Sequence, residues 1–290
     1  MNPLKTIPNI SFESEENEKD FECLNLSKLF AKIKGGLSHN PNLPHRVGFF
    51  ALLIVTNGQG THQIDLKEYP LKKGTVLKIA KGQVHAFQEN PNYEGFLILF
   101  TEEFVLNYFS KSSIEFISHL YNYHISKPLV EGGNFNETFI TELKVELEEE
   151  NSYAQKNIVA AMLELYLLRL ERLTQTTDLP KKNHQHYPIF LEFKNLVEAQ
   201  FKSTRNVKDY AEMLHISTKH LNQIVKEFTL NTAKHFIDDF VTLEIKRAIV
   251  STNTSLKEIG YDMGFDEVTN FTKFFKKHTG TTPKQFKADI

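Results

Sequence analysis

The chain lacks features that several classes of protein require. Cys23 is the only cysteine among 290 residues, so no disulfide can form within the chain, as is typical of a reducing compartment. The longest uninterrupted apolar run, Phe49–Val55, is far shorter than the roughly 20 residues that cross a bilayer. The amino end is polar and acidic, unlike a secretory signal. These absences predict a cytoplasmic protein without a membrane partner.

Strong positive charge is also missing, since the net charge is −2, which at first argues against a nucleic-acid partner. Residues 188–290 hold 15 basic and 13 acidic side chains, a balance of +2, which leaves −4 for the residues before them. The positions of the basic residues are more informative than this mild difference. Five lysines near the carboxyl end form either a phosphate-facing patch or a solvated helix end: Lys273, Lys276, Lys277, Lys284 and Lys287.

Short apolar runs punctuated by turn residues extend from about residue 45 to residue 108. Several short strands with regular turn signals indicate a β-sandwich or a β-barrel. Within this segment Asn57-Gly58 predicts a hairpin turn, because both residues tolerate positive φ. We therefore expect a β-sandwich or a β-barrel in the amino-terminal half of the chain.

Helical periodicity follows from about Glu137, with two apolar stripes side by side. The first stripe is Val159, Leu163, Tyr166, Leu170 and Leu173, and the second is Ile158, Met162 and Leu165. One stripe could cover the β-domain while the other meets a partner chain. A single wide face buried within one subunit is an equally good interpretation, because two heptads are too few to establish a coiled coil.

One helix-turn-helix pattern occurs twice near the carboxyl end, at residues 207–226 and 256–276. Matched apolar positions lie 49 residues apart before the turn and 50 after it. The matched pairs are Val207 and Leu256, Tyr210 and Ile259, Ala211 and Gly260, Leu214 and Met263, Ile216 and Phe265, Leu221 and Phe271, and Val225 and Phe275. A recurring unit is stronger evidence than a single motif, because chance must supply it twice.

Each copy predicts a short first helix, a tight turn and a second helix. Asn206 should cap the first helix of copy one and Ser255 that of copy two, where Glu258 completes a capping box. On the second helices, polar residues should face outward, where Asn and Gln can bond to adenine and Lys can reach guanine or phosphate. These outward residues are Lys219, Asn222, Gln223 and Lys226 in copy one, and Thr269, Asn270, Lys273 and Lys276 in copy two. For any single one of them, a solvated helix surface is an equally good interpretation.

The residues between the copies, 233–250, predict one long helix. At about 1.5 Å per residue it would span roughly 27 Å, which approaches the ~34 Å repeat of a DNA turn. One subunit could therefore place both second helices in successive major grooves on one face of the DNA.

This region resembles the AraC-type family of bacterial transcription regulators over about residues 195–288. The stretches that carry the resemblance are Asn206-Val-Lys-Asp-Tyr-Ala-Glu-Met-Leu, Ser217-Thr-Lys-His-Leu-Asn-Gln, Ser255-Leu-Lys-Glu-Ile-Gly-Tyr-Asp-Met-Gly-Phe and Gly280-Thr-Thr-Pro-Lys-Gln-Phe. The resemblance implies binding to a double-stranded DNA operator, with base contacts from Lys219, Asn222 and Gln223 and from Thr269, Asn270 and Lys273. Leu230 stands where the family usually has glycine, so this helix end should be capped differently or carry about 1 kcal/mol of strain.

The strand-rich segment resembles the cupin-like sensor domain of many AraC-type regulators over about residues 25–125, carried by residues 45–65, Gly74, residues 81–85 and residues 95–104. The resemblance implies a small-molecule effector in the barrel mouth, with Arg46, His62 and His85 as candidate contacts, although each is at least as well explained as a structural or surface residue. Cupins also include metal-dependent enzymes. His45 and His85 are fewer than the three or four ligands that hold a catalytic metal, and no nucleophile–base arrangement is evident. We therefore expect no metal, no cofactor and no catalysis.

Together these patterns predict an α+β protein of two domains, a cupin-like β-barrel with a helical dimerisation segment and an all-α domain with two helix-turn-helix units. The expected divisions are a flexible arm at 1–20, a sensor domain at 21–125, a helical connector at 126–174, a linker at 175–187 and a DNA-binding domain at 188–290. The predicted function is transcription regulation, more specifically activation by a homodimer that contacts RNA polymerase and responds to an effector. The alternatives are a regulator controlled by a protein partner or by abundance, and a cupin metalloenzyme with an accessory DNA module, which the missing ligands disfavour.

Overall fold

A computed structural model describes most of the chain as two compact units. The described residues are 7–12, 20–35, 40–89, 91–110, 113, 123, 127–148, 152–174, 186–229 and 231–289. The β-rich unit lies within residues 8–179, and the helical unit lies within residues 180–290. Among the described residues, no helix is both long enough and apolar enough to span a membrane.

The β-rich unit is a half-barrel formed by a nine-stranded sheet. Its strands are β1 (Asn9–Ile10), β2 (Phe21–Asn25), β3 (His45–Val47), β4 (Phe50–Ile64), β5 (Lys67–Lys72), β6 (Thr75–Ile79), β7 (Val84–Phe87), β8 (Tyr93–Phe100) and β9 (Leu129–Glu131). The sheet runs β1-β3-β7-β4-β6-β9, while β8 pairs with β2 and β4, and β5 pairs with β4. This confirms the β-rich amino-terminal fold that the short apolar runs and turn residues predict.

The long strand β4 bends where a hairpin turn was expected. Asn57 and Gly58 stay within the strand, opposite Glu94 and Tyr93, with a bulge between Val55 and Asn57. Gly58 has φ 76°, and a Cβ there would lie 2.3 Å from a backbone oxygen, so only glycine fits this bend. The hairpin prediction is therefore wrong. Gly58 instead follows the bulge within the strand, and β4 pairs with β6 and β8 up to this bend and with β5 and β7 after it.

The first half of β4 is buried on both faces, because helices cover the outside of the half-barrel. Ala51, Leu53 and Val55 belong to the inner core with residues of β8. On the outer side Lys78 of β6 is 1% exposed and makes an ion pair of 2.9 Å with Glu171. Since a buried charge is costly without a partner, this pair holds the helix that carries Glu171 against the sheet.

The helices of the β-rich unit are α1 (Leu26–Gly35), α2 (Glu102–Tyr108), α3 (Phe135–Glu148) and α4 (Gln155–Thr174). Of the first apolar stripe on α4, four residues are buried: Val159, Leu163, Tyr166 and Leu170. Leu173 is exposed, and the second stripe is partly exposed, with Ile158 at 42% and Leu165 at 50%. The interpretation with one buried and one outward stripe is therefore the one that the unit adopts.

Two expected boundaries differ from the structure. Residues 1–6 and 13–19 of the predicted arm lie outside the described residues, but β1 pairs in parallel with β3 and so belongs to the sheet. Strand β9 pairs with β6, which extends the sheet into the predicted helical connector. Both strands are very short, so the sequence shows no alternation that could reveal them.

The helical unit consists of α5 (Tyr187–Gln200), α6 (Val207–Met213), α7 (Thr218–Thr229), α8 (Ala233–Ser251), α9 (Leu256–Asp262), α10 (Val268–Thr279) and α11 (Pro283–Ala288). Most of the predicted linker, residues 175–185, lies outside the described residues, as does Leu230. The long helix predicted between the two copies is α8. It carries much of the core, and an aromatic cluster of Phe190, Phe193, Phe228 and Phe236 packs between α5, α7 and α8.

Candidate functional site

The two helix-turn-helix units, α6–α7 and α9–α10, share one turn geometry. The Ile216 N–H donates to the Ala211 carbonyl at 3.0 Å, and the matched Phe265 N–H donates to the Gly260 carbonyl at 3.0 Å. The central turn residue is left-handed in both, His215 with φ 54° and Gly264 with φ 75°. These are the bonds of a helix end with a left-handed cap, so the same device orients the second helix in each unit.

The predicted caps of the first helices are confirmed. The Asn206 side chain accepts the Lys208 N–H. Ser255 and Glu258 form the expected capping box at the start of α9. Because caps satisfy amides that a helix start leaves unpaired, they define where each unit begins.

The repeat extends further than the apolar pattern indicates. At the end of α7 the Thr229 hydroxyl donates to the Val225 carbonyl, and at the end of α10 the Thr279 hydroxyl donates to the Phe275 carbonyl. Further pairs 50 residues apart are Thr232 and Thr282, which cap α8 and α11, and Phe236 and Phe286. The repeated unit is therefore a helix, a turn, a helix, a threonine loop and the start of a third helix.

The outward faces of α7 and α10, hereafter the two reading faces, carry polar and basic side chains. Leu221 and Val225 of α7, like the matched Phe271 and Phe275 of α10, are at most 1% exposed. The exposed predicted residues are Lys219, Gln223 and Lys226 on α7, and Thr269, Asn270, Lys273 and Lys276 on α10. Three matched pairs 50 residues apart thus face solvent, as a helix that docks in a groove requires.

Asn222 is an exception, and its predicted outward orientation is wrong. It is half-buried, its Oδ1 accepts the Ala233 N–H at 3.0 Å, and its Nδ2 donates to the Thr218 carbonyl at 2.9 Å. Ala233 is the first residue of α8, and its amide has no partner within the helix. The matched residue in the second unit is Pro283, which has no N–H and needs no acceptor. Asn222 therefore satisfies a helix start, and its two hydrogen bonds fix the side chain between α7 and α8.

Arg205 of the helical unit was not singled out by the sequence patterns. Its guanidinium lies 3.8 Å from the centre of the Phe265 ring and donates to the Gly264 carbonyl. A Cβ on Gly264 would lie 1.8 Å from the Lys202 carbonyl oxygen. The turn of the second helix-turn-helix unit thus packs against the loop that precedes the first helix-turn-helix unit. This contact joins the two within the helical unit.

A cavity of about 500 Å³ opens inside the half-barrel. Apolar side chains from β2, β4, β8, α1 and the bend before β4 make up most of its wall, among them Leu24, Leu29, Phe49, Leu97 and Leu99. Its polar lining is Asn9, Ser11, Glu22, His45 and His85. Both the size and the mixed lining are typical of small-molecule sites.

Three histidines cluster at one side of this cavity. His45 and His85 face each other across β3 and β7 with ring centres 4.3 Å apart, and both line the cavity. His62 lies behind them, 1% exposed, with Nε2 3.0 Å from Nδ1 of His85. Burial, and to a lesser extent the charge of His45, lowers the pKa of His62 to about 3, so its ring is neutral at pH 7.

Of the three predicted effector contacts, only His85 lines the cavity. His62 reaches it through His85. Arg46 is half-buried and donates to the Gly82 carbonyl at 2.7 Å, a bond that braces β3. His45 and Glu22 line the cavity and were not predicted, although alternation along β3 would have placed His45 on the same face as Val47. Among the described residues, no group of three or more His, Cys, Asp or Glu side chains is arranged to hold a metal ion.

Known families and proteins match both units. A model described as a helix-turn-helix domain matches residues 210–289, and one described as an AraC-like ligand binding domain matches residues 39–125. The uncharacterized HTH-type transcriptional regulator YfiF of Bacillus subtilis (strain 168) is 22% identical over 87% of this chain and 80% of its own. The HTH-type transcriptional activator RhaS of Enterobacter sp. (strain 638) is 19% identical over 85% of this chain and 90% of its own. Among solved structures, ToxT of Vibrio cholerae O395 aligns with 85% of this chain and 90% of its own, at 14% identity and a TM-score of 0.40.

Proposed function

This chain belongs to the AraC-type family of DNA-binding transcription regulators, and we propose that it reads its operator through the two reading faces defined above. The observation that carries this proposal is the structural repeat: two second helices, oriented by the same turn, each expose a row of polar and basic side chains. The contacts we propose are Lys219, Gln223 and Lys226 from α7, and Thr269, Asn270, Lys273 and Lys276 from α10. Asn222 supports the first face from behind.

The long helix α8 supports simultaneous reading by both faces. Its 19 residues correspond to about 28 Å, close to the ~34 Å between successive major grooves on one side of DNA. It packs against both α7 and α10, so it holds the spacing between them. We propose that one subunit covers one half-site of about two helical turns.

We further propose a homodimer that binds two half-sites through α4. Ile158, Leu165 and Leu173 are spaced along one side of α4 and are 42%, 50% and 53% exposed. Exposed apolar residues at heptad-like spacing are the pattern of a helix that packs on another helix.

We propose regulation, not catalysis, as the activity of this chain, with an effector in the half-barrel cavity that changes operator binding. RhaS, a relative along most of the chain, is named a transcriptional activator, and activation in the cytoplasm through RNA polymerase is the mode we propose here too. We also propose that the chain is divided into a sensor domain, a helical connector, a linker and a DNA-binding domain.

The test is selection of genomic fragments by the purified full chain, followed by affinity measurements on the selected sequence. We expect the Lys273→Ala variant to bind that sequence about 10- to 100-fold more weakly, while Lys72→Ala, a change of the same charge in the β-rich unit, binds like the parent. Equal binding by all three proteins would overturn the assignment of the reading faces.

A further inference from the structure

We propose that the second helix-turn-helix unit, together with α11, makes most of the contacts between this protein and the phosphate backbone of DNA. The contacts come from a set of lysines that extends beyond the reading face of α10, hereafter the lysine patch: Lys273, Lys276, Lys277, Lys284 and Lys287. The inference rests on the proposed function in one respect, that the helical unit binds double-stranded DNA. It adds Lys277, Lys284 and Lys287 to the contacts proposed above and gives the two copies of the repeat different tasks.

The two copies differ in charge from the start of the second helix onward. Residues 268–288, which include α10 and α11, hold five lysines and no aspartate or glutamate, a balance of +5. The matched stretch 50 residues earlier, 218–238, holds three lysines and two acidic residues, a balance of +1. Because each phosphate contact requires a positive charge, the second copy has the stronger attraction for the DNA backbone.

An ion pair at the third helix enlarges this difference. In the first copy Lys234 of α8 makes an ion pair of 2.5 Å with Asp238, one helical turn further on. The matched positions in α11 are Lys284 and Ala288, so the second copy keeps the lysine and lacks the carboxylate. The first copy therefore neutralises this charge within the protein, whereas the second leaves it for a ligand.

All five lysines of the patch are accessible. Each side chain is exposed, and none of the five ammonium groups makes a hydrogen bond or an ion pair with the residues that the structure describes. Lys208, on the first helix of the first copy, instead lies 3.6 Å from the carboxylate of Glu212. Position 277 even reverses its sign between the copies, because Glu227 is its match. The patch is thus a concentration of positive charge that the protein itself does not balance.

Helix dipoles do not account for the patch. Lys276 and Lys277 lie in the last turn of α10, where a cation stabilises the helix end. Lys284 lies in the first turn of α11, which holds no acidic residue and where a cation is unfavourable. Its position therefore needs an explanation outside the helix, and a bound phosphate supplies one.

The position of α11 places this charge beside the reading face. The rings of Phe275 and Phe286 pack with their centres 5.5 Å apart and so hold α11 against α10. Lys284 and Lys287 are three residues apart and share one side of α11. A helix in the major groove has a phosphate backbone on either side, so lysines next to the reading face are suited to phosphates and not to base edges. Lysine fits this task, because its flexible stem carries a compact charge that needs no fixed geometry.

The test is the salt dependence of binding by the full chain, measured on the genomically selected operator and on an unrelated duplex. The test variant replaces three lysines at once, Lys277→Gln, Lys284→Gln and Lys287→Gln. It should reduce the slope of log affinity against log salt concentration by about 3, because each phosphate contact contributes about 0.9. The loss of affinity should be equal on the two duplexes, since phosphate contacts carry no sequence information.

A control of equal charge removes three lysines that already pair with carboxylates: Lys72→Gln, Lys208→Gln and Lys234→Gln. This control should keep the salt slope of the parent. Replacing the three patch lysines by arginine should also keep the slope, because the charges remain. Thermal unfolding of each variant confirms that it is folded.

Neutral methylphosphonate linkages in the operator locate the contacts. The parent should lose affinity when these linkages flank the groove that α10 reads, whereas the triple glutamine variant should be insensitive to the same linkages. A parental salt slope in that variant would overturn the proposal, and the lysine patch would then serve another acidic partner, such as a protein surface.

The proposed function can fail separately from this inference. If the parent selects no genomic fragments, the proposed function fails and this inference fails with it. If Gln223→Ala weakens operator binding while the triple glutamine variant keeps the salt slope of the parent, the reading faces hold and only the assignment of the phosphate contacts is wrong.

Discussion

The two helix-turn-helix units reach the same geometry with different residues. In the first unit the left-handed position of the turn holds His215, and in the second it holds Gly264. His215 is exposed, whereas Gly264 lies against the backbone of Lys202. Glycine is thus required in the second unit by a close contact with its surroundings, while in the first unit the turn tolerates a side chain at some strain.

The third helices also start differently. In the first unit α8 begins with Ala233, whose N–H is accepted by Asn222, while in the second α11 begins with Pro283. The first helix-turn-helix unit supplies a side-chain acceptor for the amide that begins the third helix, whereas the second unit has no amide N–H at that position. The comparison shows that a repeat can conserve a structural requirement while it changes the residues that meet it.

The largest expected change in stability comes from replacing the glycine in the turn of the second helix-turn-helix unit. Gly264→Ala should lower the free energy of unfolding by about 3 kcal/mol, because the new Cβ combines a left-handed φ with a clash against the Lys202 carbonyl. Gly280→Ala is the matched control, since Gly280 has φ 81° but open space around its Cβ position. It should cost only about 1 kcal/mol. Chemical denaturation measures both, and equal losses would mean that the close approach to Lys202 does not occur in solution.

The reading faces provide the second comparison, through matched residues of different charge. Gln223→Ala and Lys273→Ala should each weaken binding to the cognate operator by about 1–3 kcal/mol. Only the lysine change should also reduce the salt dependence of binding, by about one counterion, because glutamine neutralises no phosphate. Titrations at several salt concentrations test this, and an identical salt slope for the two variants would contradict different roles for the matched positions.

The sequence was informative about the helical unit because its helix caps and apolar faces depend on residues that are close together in the chain. Caps such as Ser255 with Glu258 depend on residues three apart, and the apolar faces of α7 and α10 depend on helical period. Asn222 was misassigned because its partner, Ala233, lies in the next helix and is joined by a side-chain bond that no periodicity encodes. The 50-residue offset between the two copies did contain a clue, because it aligns Ala233 with Pro283. Proline has no N–H, so the first copy has an amide at this position that needs an acceptor and the second has none.

The half-barrel was predictable as a class but not in its pairing. The bulge between Val55 and Asn57 and the short strand β9 depend on contacts between distant segments, and an Asn-Gly pair suits either a turn or a bend within a strand beside a bulge. Of the cavity, His85 was identified by resemblance, whereas Glu22 was not, because only the pairing of β2 with β8 brings it into the same wall.

A smaller effect tests the difference at the third helices. Asn222→Ala should lower the free energy of unfolding by about 1 kcal/mol, because it leaves the Ala233 N–H without an acceptor. In an Ala233→Pro background, which copies the second unit, the same change should cost distinctly less, since proline at the first helical position has no N–H. A double-mutant cycle measures this coupling. If the two changes are additive, the bond between Asn222 and Ala233 contributes nothing to stability.

The smallest effect concerns His215, the residue that adopts the left-handed conformation without being glycine. His215→Gly removes the left-handed strain of about 1–2 kcal/mol but adds freedom to the unfolded chain, so the net gain in unfolding free energy should be about 0.5 kcal/mol. His235→Gly is the matched control inside α8, where glycine should instead cost about 1 kcal/mol. The opposite signs are measurable by thermal unfolding of the two variants. A loss of stability in His215→Gly would show that the contacts of the His215 side chain stabilise the protein by more than the left-handed strain costs. The turn of the first helix-turn-helix unit would then depend on side-chain contacts that Gly264 cannot make in the second.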